Sequence, residues 1–136
     1  MIFAYVVLFF SYVNAYPEYA YNIPNGHNVP NPCVPGTMIQ GVGHEDPLGG
    51  GPLNSFGEDY IRYESWEDIC RLDSDKDGRT NGEELGDPNC VWTPGSTPER
   101  ETDITHPGVC TPVDSETCLE QDPCKHFVNG PKMRDL

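Results

Sequence analysis

Residues 70–90 of the chain read CRLDSDKDGRTNGEELGDPNC. This stretch begins and ends with a cysteine, and aspartates stand at alternate positions through its first half. Gly86 and Pro88 follow soon after a pair of glutamates, and both residue types are unfavourable inside a helix. The segment therefore combines closely spaced carboxylates with residues that stop a helix.

The spacing of the oxygen-bearing residues within 73–84 is that of an EF-hand-like calcium loop. Calcium takes about six to eight hard oxygen ligands, and such a loop supplies them from positions 1, 3, 5, 7, 9 and 12, with glycine at position 6. Gly78 holds the glycine position, and the pattern D-x-[DN]-x-[DN]-G-x5-E is complete. Calcium is the predicted cofactor, and its predicted ligands are Asp73, Asp75, Asp77, the Arg79 carbonyl, Asn81 through water, and Glu84.

A solvated acidic turn is the alternative to a metal site. Closing the loop without a metal would crowd three aspartates around an empty centre, and a divalent cation reverses the sign of that interaction. Gly86 and Pro88 leave no room for the long second helix of a sensor. Since extracellular modules bind calcium at roughly 10⁻⁴ to 10⁻³ M, the pattern predicts a metal that stabilises the fold without signalling.

The rest of the chain predicts little regular structure. Ser65 and Asp68 have the spacing of a capping box, and Trp66 and Ile69 begin an apolar helical face, which an earlier turn near Tyr60 extends. The proline-rich and glycine-rich segments elsewhere predict turns, extended chain without helix at 16–35, and short strands. The expected fold is a small, disulfide-stapled, loop-rich α+β domain, with one short helix leading into a single calcium loop and few short strands.

Residues 1–15 have the composition of a secretory signal peptide. They carry no charged side chain, are mostly apolar and end in Val-Asn-Ala, so cleavage is expected after Ala15. A membrane anchor is the alternative, but the run is shorter than the roughly 20 residues that a spanning helix needs. We expect a secreted, extracellular protein without a membrane span in the mature chain.

The charge and the cysteines restrict the class of protein further. The chain has 136 residues and a net charge of -14, which makes nucleic acid a poor partner. Six cysteines in a secreted chain with few apolar residues predict disulfides in place of a large core, although six allow fifteen pairings. Zinc is the rival, but the chain has no C-x-x-C pair. The six are Cys33, Cys70, Cys90, Cys110, Cys118 and Cys124.

No catalytic pattern is present, so we expect no enzyme. None of the four histidines stands in an H-E-x-x-H arrangement, and no serine stands in G-x-S-x-G. His44 and His106 could meet in the fold and hold a transition metal, but isolated histidines are more often hydrogen-bonded loop residues.

Several blocks of the sequence resemble the temptin family of small secreted domains, whose members act among water-borne attraction pheromones of marine molluscs. The blocks are YPEYAYNIPNGHNVPNPC, GVGHEDPLGGGPLNSFGEDY, DSDKDGRTNGEELGDPNCVWTPG and THPG, in this order. They extend over about residues 16–108. The resemblance implies a temptin-like domain at 16–110 and leaves residues 111–136 as an acidic tail that contains cysteine.

The resemblance also implies a function and a partial disulfide pattern. It implies that Cys70 pairs with Cys90, and that Cys33 pairs with a later cysteine, which is Cys110 or Cys118. It implies a non-enzymatic signalling protein that binds secreted peptides or a receptor in a pheromone complex. The alternative is a calcium-binding structural protein of a shell or other extracellular matrix, whose acidic residues would contact mineral calcium.

Overall fold

The computed structural model describes residues 17–128, so the predicted signal peptide at 1–15 lies outside the described residues. Within this range the chain forms six short helical segments, whereas the sequence predicted one helix. None of them has the length and apolar character needed to cross a bilayer. The segments are α1 (Pro17–Ala20), α2 (Ser55–Tyr63), α3 (Trp66–Ile69), α4 (Asn81–Leu85), α5 (Glu116–Leu119) and α6 (Lys125–Val128).

The longest helix, α2, is separate from α3, so the predicted continuous helix is wrong. Asn54 caps α2 by accepting a hydrogen bond from the Gly57 N–H. Glu64 ends the helix in the left-handed conformation, with φ of 54°, and turns the chain before α3 begins. Ser65 precedes α3 with extended backbone but makes no side-chain capping bond, so the predicted capping box is absent.

The described residues form no strand, and the few strands of the predicted α+β fold are therefore wrong. Only two isolated bridges occur among them, between Pro30 and Met38 and between His44 and Leu53. A proline has no N–H to donate to a ladder, which limits pairing in so proline-rich a chain. The prediction of no helix at 16–35 is also wrong, because Pro17 opens α1, a position that proline tolerates.

A small core lies between α2, α3, α4 and the N-terminal loops. Its largest fully buried apolar side chains are Phe56, Ile69 and Leu85. A Cβ atom on Gly57 would lie 2.0 Å from the Gly43 carbonyl oxygen, so only glycine lets α2 pack directly on this loop backbone.

Three disulfides join the loops. The structure contains the expected Cys70–Cys90 bond, which spans 20 residues and closes the acidic segment. The expected partner of Cys33 was wrong, because Cys33 pairs with Cys124, 91 residues away. Cys110 and Cys118 pair with each other across the turn that leads into α5. The Cys33–Cys124 bond therefore joins the cysteine-containing tail, which the structure describes as far as residue 128, to the N-terminal loops.

A buried carboxylate organises the chain after α4. Asp87 has no exposed surface, and its oxygens accept hydrogen bonds from the indole N–H of Trp66 at 2.7 Å and from the N–H groups of Val91 and Trp92 at 3.0 and 3.1 Å. Charge-assisted bonds of this kind are stronger than neutral ones. Asp87 therefore fixes the chain around Cys90 against α3.

Replacing both cysteines of a pair by serine should cost more stability when the bond closes a longer loop, because the loop-closure entropy rises with the logarithm of loop length. Loop-closure entropy gives about 4 to 5 kcal/mol for Cys33–Cys124 and about 2 to 3 kcal/mol for Cys110–Cys118. Urea unfolding followed by tryptophan fluorescence measures both. Equal losses, or a larger loss for Cys110–Cys118, would contradict this ranking.

The variant Asp87→Asn should lower the free energy of unfolding by about 3 kcal/mol, because an amide NH₂ would face buried N–H donors that now bond to a carboxylate. Urea unfolding measures this, with Asp114→Asn, an exposed acid, as the matched control. If the two variants were equally stable, Asp87 would not have the organising role assigned to it.

Candidate metal centre

The acidic loop, residues 73–84, follows α3 and runs into α4, a short helix that the sequence did not predict. Thr80 and Glu83 form a capping box at the start of α4, in which the Glu83 N–H donates to Thr80 Oγ1 and the Thr80 N–H donates to the Glu83 carboxylate. Gly78 has φ of 94°, a conformation that glycine adopts without strain. Gly86 ends α4 after five residues, so the loop is not followed by the long second helix of an EF-hand.

Three aspartates of the loop converge. One carboxylate oxygen from each of Asp73, Asp75 and Asp77 lies within 4.8 Å of the other two. Within residues 17–128 no other cluster of three or more acids, histidines or cysteines has this geometry. Loop N–H groups hold the cluster, since Gly78 donates to Asp73 at 2.9 Å and Arg79 donates to Asp77 at 2.9 Å.

Two of the loop carboxylates are buried and only partly satisfied. Asp75 is 3% exposed and Glu84 is not exposed at all. Asp75 Oδ2 and Glu84 Oε2 are buried without a hydrogen-bond partner. A buried carboxylate oxygen without a partner is costly, and a cation bound at the loop would reduce that cost.

The electrostatics of the loop point the same way. Burial and the charge of Asp77 raise the pKa of Asp75 to about 8. Burial and the charges of Asp75 and Asp77 raise the pKa of Glu84 to about 10. The folded loop thus disfavours its own ionised form unless positive charge is added.

Residues from the C-terminal part of the chain hold the same carboxylates. Thr105 Oγ1 donates to Glu84 Oε1 at 3.0 Å, and the N–H and hydroxyl of Thr111 both donate to Asp77 Oδ2 at 3.3 Å. The Gln121 amide donates to the Asp75 carbonyl at 3.0 Å. The sequence did not predict these contacts, because no local pattern marks residues so distant along the chain.

The side chain of Asn81 hydrogen-bonds to other residues of the protein. Its amide NH₂ donates to the Ile69 carbonyl at 2.8 Å and to Ser74 Oγ at 2.9 Å, and its oxygen accepts from the Ser74 N–H at 3.4 Å. Ser74 in turn donates to Asp59 of α2 at 2.8 Å. Asn81 therefore fixes the loop to α3 and, through Ser74, to α2.

Each of the two histidines considered for a transition metal has a backbone group within hydrogen-bond distance of its Nδ1 atom. His106 is 1% exposed, accepts a hydrogen bond from the Gly108 N–H through Nδ1, and has its pKa lowered by burial to about 3. His44 is only half-buried, and its Nδ1 lies 3.3 Å from the Gly51 carbonyl oxygen.

The described residues form a small disulfide-stapled domain with short helices and one acidic loop that contains two buried carboxylates. The family model described as Temptin C-terminal matches residues 13–109. The chain is 54% identical to Temptin of Aplysia californica over 109 residues, which cover 79% of this chain and 87% of the relative. The chain belongs to the temptin family. No solved structure matches it.

In a chelator, the melting temperature should fall as pH rises from about 4 to 8. In this window the folded domain keeps a proton on Asp75 that the unfolded chain, with an aspartate pKa near 3.9, has lost. This stabilising contribution is complete below pH 4 and disappears as pH passes about 8.

Circular dichroism melts of the wild type and Asp75→Asn provide the test. The variant should show a weaker dependence on pH, since it lacks the titrating group. The prediction fails if the two proteins have the same pH dependence in chelator.

Proposed function

We propose that this chain is a secreted, non-enzymatic signalling protein that acts, like the temptins it resembles, as a component of a water-borne pheromone complex. The observation that carries the proposal is the 54% identity to Temptin over 87% of that relative. Its partners would be secreted peptides or a receptor. The lack of a catalytic sequence pattern agrees with a protein that acts by binding.

Secretion is supported by two independent features. The first fifteen residues have the composition of a signal peptide. All six cysteines are paired in disulfides, which form and persist in oxidising, extracellular surroundings.

Calcium as a structural staple is the second part of the proposal. The ligands would be the carboxylates of Asp73, Asp75, Asp77 and Glu84, together with the main-chain carbonyl of Arg79 and, through water, Asn81. Oxygen-only ligands favour calcium over softer transition metals. The bound ion would neutralise charges that otherwise oppose closure of the loop.

The variant Glu84→Gln separates calcium binding from folding. In chelator it should be as stable as the wild type or more stable, because it removes a buried acid with a raised pKa. At 10 mM calcium, with a dissociation constant of roughly 10⁻⁴ to 10⁻³ M, the wild type should gain about 1.4 to 2.7 kcal/mol, and the variant less than half of this.

Thermal melts with and without calcium measure these differences. Glu67→Gln, an exposed glutamate of α3, is the matched control and should gain as much as the wild type. Equal gains for wild type and Glu84→Gln would remove calcium from the account.

The signalling role is tested by where the native protein is found. Quantitative mass spectrometry should recover it as a soluble species in freshly released fluid. Extraction of the insoluble matrix with a calcium chelator should not raise the amount recovered. Recovery only from chelated matrix would reject the signalling role and favour the matrix protein that the net charge of -14 also fits.

A further inference from the structure

A cavity of about 310 Å³ is lined in part by α2, through Phe56, Gly57, Tyr60 and Ile61, none of which is the residue, Asp59, that bonds α2 to the acidic loop. Three parts of the chain form its walls: Tyr19 in α1, Val42 in the loop before α2, and Phe56 and Ile61 in α2. Its volume is at the lower end of the range for small-molecule sites, roughly 300 to 1,000 Å³.

The lining of this cavity is unlike the rest of the chain. None of the described residues that line it is Asp, Glu, Lys or Arg, although charged residues make up 22% of the chain. Most of the lining is apolar or glycine backbone, and the polar side chains are those of Gln40, His44 and the two tyrosines. Few polar groups in an apolar concave surface are typical of ligand sites.

Two aromatic rings form one end of the cavity. The rings of Tyr19 and Tyr60 pack edge to face, with centroids 5.8 Å apart. The side chain of Asn22 hydrogen-bonds to Tyr60, whose pKa is raised by burial. Tyr19 and Ile61 are 62% and 59% exposed, so apolar surface continues from the cavity to the solvent.

We propose that this cavity binds a neutral, apolar small molecule. An anion would meet the field of a chain with net charge -14 and would find no Lys or Arg in the lining. A cation would find no carboxylate there, and burial of an unpaired charge is costly. Since apolar solutes dissolve poorly in water, such a site would let a secreted domain carry one through an aqueous medium.

The proposal concerns a site other than the acidic loop and does not depend on the proposed function. A matched pair of fluorescent probes tests it: N-phenyl-1-naphthylamine, which is neutral, and 8-anilino-1-naphthalenesulfonate, the same ring system with a sulfonate. At millimolar calcium, the neutral probe should bind saturably, one per chain. The anionic probe should bind at least about tenfold more weakly, because its charge would be buried without a partner.

A charged substitution at the cavity mouth tests whether the neutral probe binds in this cavity. Ile61→Asp should weaken binding of the neutral probe at least about fivefold, because the new carboxylate must lose water when the probe binds. Val91→Asp is the matched control, since Val91 is 73% exposed and does not line the cavity. Both substitutions are at exposed positions, and thermal melts check that both variants fold.

Three results would overturn the proposal. These are no saturable binding of the neutral probe, equal affinity for the two probes, and an equal effect of Ile61→Asp and Val91→Asp.

Discussion

Carboxylates of residues 73–84 are held close together, and the surrounding chain has to accommodate their mutual repulsion. Two of these groups, on Asp75 and Glu84, are buried with an oxygen that no protein group satisfies. Such an arrangement opposes its own ionisation. It becomes favourable when a divalent cation supplies the missing charge, which is the role that we propose for calcium.

The surrounding structure is arranged about this loop. The Cys70–Cys90 disulfide joins its two ends, and Asp87 fixes the exit of α4 to Trp66. Thr105 and Thr111 contact its carboxylates from the C-terminal side. The apolar core is small and the helices are short, so covalent bonds and polar contacts to this loop carry much of the stability that burial supplies in larger domains.

The sequence predicted those features that are set by residues close together along the chain. The three aspartates and Gly78 lie within six residues, and their spacing predicts that the aspartates converge. The separate helix α2 was missed, although Asn54 before Ser55 was a local capping signal. Competing turn residues, glycine at 57 above all, obscured it.

Other features could not be predicted from spacing, because they join distant residues. Cys33 pairs across 91 positions, and Gln121 reaches the loop across 46. A single sequence contains no pattern that selects one of the fifteen possible disulfide arrangements, or that marks a hydrogen bond between such distant residues. The cavity beside α2 is likewise formed by three segments that come together only in the fold.

Amide hydrogen exchange measured by mass spectrometry, in calcium and in chelator, would show whether a cation stabilises the acidic loop. We expect slower exchange in calcium across residues 73–84 and also across 105–121, which contact the loop. Residues 29–39, whose backbone hydrogen bonds are made among themselves, should exchange alike in both conditions. Identical exchange of the loop in calcium and in chelator would contradict the claim that a cation holds this structure together.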